Sequence, residues 1–252
     1  MPALQDPVVL KNQPRDFAEY CTTVRTEGTG AVAWLTEPEA RWTVPASLQS
    51  KVAEDGEHLP YSGDTIVLPL DETGIDLCRG LQHHCRQHMG TNLASPLDAS
   101  TFHVTLHDLH HGSSPQPLET SAKACRDRFA ALAEALPDEL AVVTLVPTVV
   151  HPCVNVSLVL GLVPATDRDF RTLMNVYNLF EDVVLIPHWP RLHVTLDYFR
   201  PVAPEPQVVY RGLPAPGFKS LTLDMRSLAY QEFSDMNHYR TVFTLSDCAA
   251  SR

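Results

Sequence analysis

Two segments of the chain place an imidazole beside a hydroxyl at the same spacing: Phe102-His103-Val104-Thr105-Leu106 and Leu192-His193-Val194-Thr195-Leu196. An imidazole exchanges a proton near neutral pH because its unperturbed pKa is about 6.5, so a pair of them can act as acid and base. The bare tripeptide His-x-Thr is expected about once by chance in this composition, but the apolar flanks lower that to roughly 0.08 copies. Both copies alternate with the period of a strand. Phe102, Val104 and Leu106 share one face and His103, Thr105 and His107 the other. In the second copy Leu192, Val194 and Leu196 oppose His193, Thr195 and Asp197. A single histidine on a half-buried strand is ordinarily satisfied by a neighbour; the pair is what points to chemistry.

The elements that must position these strands follow from pattern. Thr65 to Leu70 reads as a buried strand and Thr73 to Met89 as a helix closed by Gly90. The first histidine strand and a polar loop, His111-Gly112-Ser113-Ser114-Pro115, come next. The second half repeats the order: a helix over Leu118 to Leu136, strands at Ala141 to Val146 and Val154 to Val163, and a helix over Asp167 to Phe180. The second histidine strand follows, with further strands near Leu221 to Gln231 and Tyr239 to Leu245. Pro201 to Pro216 is proline-rich and reads as a loop. The predicted fold class is α+β and bilobal, each lobe a sheet with helices outside, related by a pseudo-two-fold and enclosing a central cleft. One continuous sheet is the alternative. Residues 1–55 read as an N-terminal extension, with turn formers at Glu27-Gly28-Thr29-Gly30, and residues 56–252 as the bilobal domain.

Composition bounds the partners. With 252 residues, 44% hydrophobic and 19% charged, the chain suits a globular protein with ample core. Its longest nearly apolar run, Leu140 to Val150, is too short to span a bilayer, and Met1 to Lys11 lacks the pattern of a secretory leader, so a cytoplasmic location is expected. The six cysteines have no Cys-x-x-Cys spacing and read as buried hydrophobes. A formal net charge of −11, with 19 basic against 30 acidic residues, argues against long nucleic acid, and no membrane partner is expected. A phosphate-bearing partner would be a nucleotide, a short oligonucleotide or an RNA end.

The paired motifs resemble those of the 2H phosphoesterase superfamily, which includes RNA cyclic phosphodiesterases and 2′-5′ RNA ligase-like proteins. His103 with Thr105 and His193 with Thr195 are the matching positions. Gly56 to Val67, with its Leu59-Pro60 and Gly63-Asp64-Thr65, is similar to the strand entry of a poorly characterised bacterial branch. The resemblance implies a two-lobed fold with a symmetric cleft. It also implies metal-independent phosphodiester chemistry on 2′,3′-cyclic phosphates, 2′-5′ linkages or related esters, with no cofactor. His103 and His193 would be the acid–base pair. Thr105 and Thr195 would donate to non-bridging phosphate oxygens, and Arg191, on the His193 face by period, would contact phosphate.

Weaker candidates are His107 and Asp197 on the motif faces. Tyr230 and Phe233 are base-stacking candidates more readily explained as packing. Tyr198 falls on the apolar face, and His188-Trp189-Pro190 reads as a packed turn. Two other functions compete. A metal hydrolase would draw on His84 and His88, spaced i, i+4, and on the histidines around 103 to 111, but no His-Glu-x-x-His is present. A non-catalytic nucleotide-binding protein would keep the cleft without needing both histidine–threonine pairs.

Overall fold

The computed structural model describes residues 16–114, 118–137 and 140–250; Met1 to Lys11 and Pro115 lie outside them. In chain order the elements begin with α1 (Phe17–Trp34), α2 (Ala46–Gln49), β1 (Ser62–Pro69), α3 (Glu72–Met89), β2 (His103–Gly112) and α4 (Leu118–Ala135). Next are β3 (Val142–Cys153), β4 (Ser157–Pro164), α5 (Asp167–Asn178), β5 (His193–Tyr198) and α6 (Pro206–Arg211). The chain closes with β6 (Leu221–Asp224), β7 (Ala229–Asp235), β8 (His238–Thr244) and α7 (Leu245–Ala250). The class is α+β, as the strand and helix periodicities predict.

The strands form one sheet in the order β6-β3-β4-β5-β2-β1-β7-β8, with neighbours antiparallel. The two lobes are the halves of this sheet, and the motif strands β2 and β5 meet at its centre through the pair Val104↔Val194. Each half repeats strand, helix, motif strand: β1-α3-β2 and β4-α5-β5. The helices cross over. α3 packs against β5 and α5 against β2, so each half's helix supports the other half's histidine strand. The sheet also curls. His103 on β2 lies 5.1 Å, ring to ring, from Tyr239 on β8, three strands away, where a flat sheet would separate them by about 14 Å.

Local chemistry explains most boundaries. Asp71 caps α3 by accepting from Gly74 N–H at 2.7 Å, and Thr166 caps α5 through Asp169 N–H at 3.1 Å. The stripe Phe170, Leu173, Val176, Tyr177 of α5 is buried. Sequence and structure part in several elements: β3 runs on to Cys153 beyond the expected end at Val146, and β4 starts at Ser157 rather than Val154. Glu27-Gly28-Thr29-Gly30, read as a turn, is inside α1, which Asp16 caps through Glu19 N–H at 2.9 Å. Gly28 serves close packing there: a Cβ would stand 3.0 Å from Val149 Cγ2 and 3.5 Å from the His151 ring. The strand expected over Leu221 to Gln231 is divided by a 3-10 turn at Met225–Ser227, which sends β6 and β7 to opposite halves of the sheet. The proline-rich loop contains α6, with Pro206 at its start, where no amide N–H is needed.

The described part of the N-terminal segment is built into the core. Tyr20, Leu35 and Leu48 are fully buried, and α1 lies against β3 and β4. Five cysteines are buried and Cys153 is half-buried. No helix among the described residues is long and apolar enough to cross a membrane.

Candidate active site

Where the two halves of the sheet join, they enclose a cavity of about 980 Å³ lined by His103, Thr105, His193 and Thr195. The antiparallel pair Val104↔Val194 dictates this arrangement. Stepping one residue either way sets His103 across from Thr195 and Thr105 across from His193, all four on the cavity face. The histidines are therefore diagonal neighbours, with backbones about 7–8 Å apart by sheet geometry.

Each imidazole is oriented by the main chain two residues before it. His193 Nδ1 donates to the Arg191 carbonyl at 2.7 Å, and His103 donates in the same sense to the carbonyl of Thr101. A carbonyl only accepts, so the bonded nitrogen keeps its proton and the other ring nitrogen is left to exchange one. Burial pushes the His103 pKa down to about 4, helped by the neighbouring His193; Asp108 and the Thr101 carbonyl oppose the fall. Burial lowers that of His193 as well, against the Arg191 carbonyl and Asp108. Both shifts favour the neutral ring at pH 7, and a bound anion would favour the charged forms.

The sequence period places His107 and Asp197 in the cleft, and the structure overturns this. Thr105 pairs with Val67 but His107 with Ile66, so β2 carries an extra residue at Leu106. Likewise Thr195 pairs with Val159 but Asp197 with Leu158, leaving Leu196 extra in β5. A bulge of one residue reverses the alternation beyond it. His107 turns to the helix-covered face, where its Nε2 lies 3.1 Å from Glu181 Oε1 and its ring packs on Tyr177. Asp197, fully buried, pairs with Arg86 of α3; burial pushes its carboxyl up to about 7 while Arg86 pulls it back. The same bulges bring the next residues into the cavity: Asp108 on β2 and Tyr198 on β5 line it. Strict alternation without the bulge puts Tyr198 on the apolar face.

Arg191 stands at the cavity wall, its guanidinium committed to Glu27 through bonds of 2.6 and 2.8 Å and stacked over Trp189 at 4.7 Å. Phosphate contact by Arg191 would compete with that pair. Tyr230 is core: fully buried, it stacks on Phe243 and its hydroxyl donates to Asp64 at 2.8 Å. Phe233 lines the cavity. In His188-Trp189-Pro190, read as a packed turn, Trp189 and Pro190 are buried and the His188 carbonyl accepts from Tyr177 OH at 2.7 Å, but His188 is exposed and lines the cavity together with Pro190.

No protein-family model matches the chain, and no curated protein matches it. Among solved structures, the chain is similar to ATU0111, a conserved protein of unknown function from Agrobacterium tumefaciens, with a TM-score of 0.56 and 21% identity over 85% of this chain and 98% of that one. A phosphoesterase (TM-score 0.49, 15% identity, 72% of this chain and 95% of that one) and E. coli LigT complexed with phosphate (0.46, 16%, 73% and 96%) also match. The likeness is one of fold.

The metal-ligand candidates do not converge. His84 and His88 stack on each other at 4.3 Å along α3 and are not in the cavity wall, and among the described residues no group of three or more potential ligands forms. His110 turns to Asp64 and His111 Nδ1 meets Tyr61 OH at 2.7 Å. Among the wall residues that nothing in the sequence pattern marks are Asp108, Lys51 and His151. His151, whose pKa is lowered by burial, sits near enough to His193 to feel its charge. The signal for it was hidden because β3 continues through Pro147 and Pro152, beyond the reach of its partner β6, which ends opposite Leu145.

Proposed function

We propose that the protein is a metal-independent phosphodiesterase of the 2H phosphoesterase type, opening a cyclic phosphate or cleaving a 2′-5′ phosphodiester of a nucleotide or RNA end. One observation carries the reading: two histidine–threonine pairs from distant parts of the chain meet about a pseudo-two-fold at Val104↔Val194 on the wall of one cavity.

In this reaction one imidazole, neutral, takes the proton of the attacking water as oxygen bonds to phosphorus. The other, charged, gives its proton to the departing ribose oxygen as the P–O bond breaks. The proton inventory of the pair is unchanged over a turnover, with the two roles exchanged. Thr105 and Thr195 donate to the non-bridging oxygens, supplying the charge stabilisation that a metal would otherwise give. Arg191 holds His193 through its carbonyl, and its side chain reaches phosphate only by releasing Glu27. Residues 56–252 carry both motif strands, and residues 1–55 add Glu27 and Lys51 to the wall.

The test is turnover. Purified protein treated with a chelator is mixed with 2′,3′-cyclic nucleotides and linear 2′-5′ dinucleotides, and products are separated by chromatography. Hydrolysis of at least one member is expected, with His103→Ala and His193→Ala each lowering kcat by about 10²–10⁴ and leaving thermal unfolding near that of the wild type. Near-normal turnover by either variant overturns the mechanism. Nucleotide binding without turnover of any member favours the non-catalytic reading instead.

A further inference from the structure

Lys51 reaches the cavity from outside the two motif strands. Its backbone is fixed: Lys51 N–H donates to the Leu48 carbonyl at 2.9 Å and its own carbonyl accepts from Leu59 N–H at 2.9 Å. The neighbours Leu48 and Val52 are buried in the core. The ammonium is held between rings from both halves of the molecule, 4.9 Å from the centroid of Tyr61 and 5.7 Å from that of Tyr198. Both phenols are engaged elsewhere, Tyr61 with His111 Nδ1 at 2.7 Å and Tyr198 with Met236 Sδ at 3.1 Å. Lys51 therefore faces π-surfaces, and none of the ion pairs among the described residues includes it.

A half-buried ammonium without a counterion is unfavourable, and ring faces compensate only in part. Burial holds its pKa below the usual range, against the pull of Asp108 and Cys153. An acidic chain with 30 carboxylate residues against 19 cations has many ways to neutralise a lysine, yet this one is unpaired inside a cavity. Arg191, the wall's other Lys or Arg, is already neutralised by Glu27. The cavity's 980 Å³ stands at the top of the range for small-ligand sites, about 300–1,000 Å³, which leaves room beyond a single cyclic ester.

We propose that Lys51 is the anchor of a second phosphate subsite, receiving a phosphomonoester on the same nucleotide whose diester lies between His103 and His193. This rests on the phosphodiesterase reading for the first phosphate. The preferred substrates are therefore nucleotides or oligonucleotide ends bearing an additional terminal phosphate.

Calorimetric titration with adenosine 3′-monophosphate and adenosine 3′,5′-bisphosphate tests the subsite without turnover. Wild-type protein binds the bisphosphate at least tenfold more tightly. Lys51→Met brings the two ligands within twofold of each other and leaves the monophosphate affinity unchanged, while Lys51→Arg retains the preference. Equal affinities in the wild type, failure of both ligands to bind, or a Lys51→Met protein that keeps the preference overturns the proposal. A parallel assay compares 2′,3′-cyclic AMP with and without a 5′-phosphate, and a lower KM for the phosphorylated form is expected. Preference in binding without any turnover sinks the hydrolytic chemistry and keeps the subsite. Turnover without preference does the reverse.

Discussion

Asp64, the middle residue of Gly63-Asp64-Thr65, makes a strong prediction because it is almost fully buried and ties three elements together. Its carboxylate accepts from His110 N–H on β2 at 2.7 Å, from Tyr230 OH on β7 at 2.8 Å, and from the Ser121 hydroxyl on α4. Asp64→Ala strands all three donors. Each unsatisfied buried donor costs about 1–3 kcal/mol. The two hydroxyls can rotate and water can enter the space left, so a total of about 3–5 kcal/mol is expected, a large share of the roughly 5–15 kcal/mol that holds a domain. Tyr230→Phe and Ser121→Ala each remove one donor and leave the carboxylate served by the others, so each should cost about 1 kcal/mol. Urea unfolding followed by far-UV circular dichroism measures these differences, with an unchanged m-value showing that the comparison is one of stability. Since Asp64 is not in the cavity wall, kcat of the folded Asp64→Ala fraction at low temperature should stay within a few-fold of wild type. An Asp64→Ala loss under about 1 kcal/mol, or a stable variant with abolished kcat, refutes this assignment of Asp64 to structure.

The imidazole environment and a pair of glycines supply two further tests. With the His103 pKa near 4 and that of His193 also lowered, the free protein holds one neutral and one charged imidazole most often below pH 6.5, so kcat/KM of the proposed reaction should peak on the acid side. A bound phosphodiester anion raises both values, and the kcat optimum should therefore lie at higher pH than the kcat/KM optimum; coincident optima, or a kcat/KM optimum above pH 7, contradict the electrostatics described. At Gly63 a Cβ would overlap the His110 carbonyl oxygen and stand 2.5 Å from Phe233 Cζ and 2.9 Å from His111 Cα, whereas at Gly30 in α1 it meets nothing within 4 Å. Gly63→Ala should destabilise by about 1–3 kcal/mol and Gly30→Ala should stabilise by up to about 1 kcal/mol; the same sign in both, read from urea midpoints, would show that the close strand approach at Gly63 is not decisive.

The periodic elements were legible because one face of each is buried. The stripes of α3 and α5 and the alternation of the two motif strands follow directly from which side meets the core. Bulges leave no such trace. An extra residue at Leu106 or Leu196 is as apolar as the core-facing Val104 or Val194 two positions before it, so period-two counting carries His107 and Asp197 into the cavity and Tyr198 out of it, the reverse of what the pairing with Ile66 and Leu158 dictates. The glycines of α1 were equally opaque, since Gly28 is there for Val149 and His151, more than a hundred residues away. Lys51 and Asp108 belong to the site by position alone; neither has a local pattern that marks it.

The bulges also help explain how the two halves stay in place. The pair Val104↔Val194 is a slender join for setting two histidines at a working distance. By turning His107 and Asp197 toward the helices, the bulges provide two further attachments at pseudo-equivalent positions: Glu181, just after α5, holds His107 of β2, and Arg86, in the last turn of α3, holds Asp197 of β5. Each helix comes from the opposite half, so each attachment crosses the pseudo-two-fold. A rigid-body shift of one half against the other would have to break a buried polar contact on both sides, leaving buried polar groups without their partners, which is unfavourable. The spacing of His103 and His193 is thus governed by residues on the face away from the cavity, and the placement of the two imidazoles is coupled to the core more firmly than the strand pairing suggests.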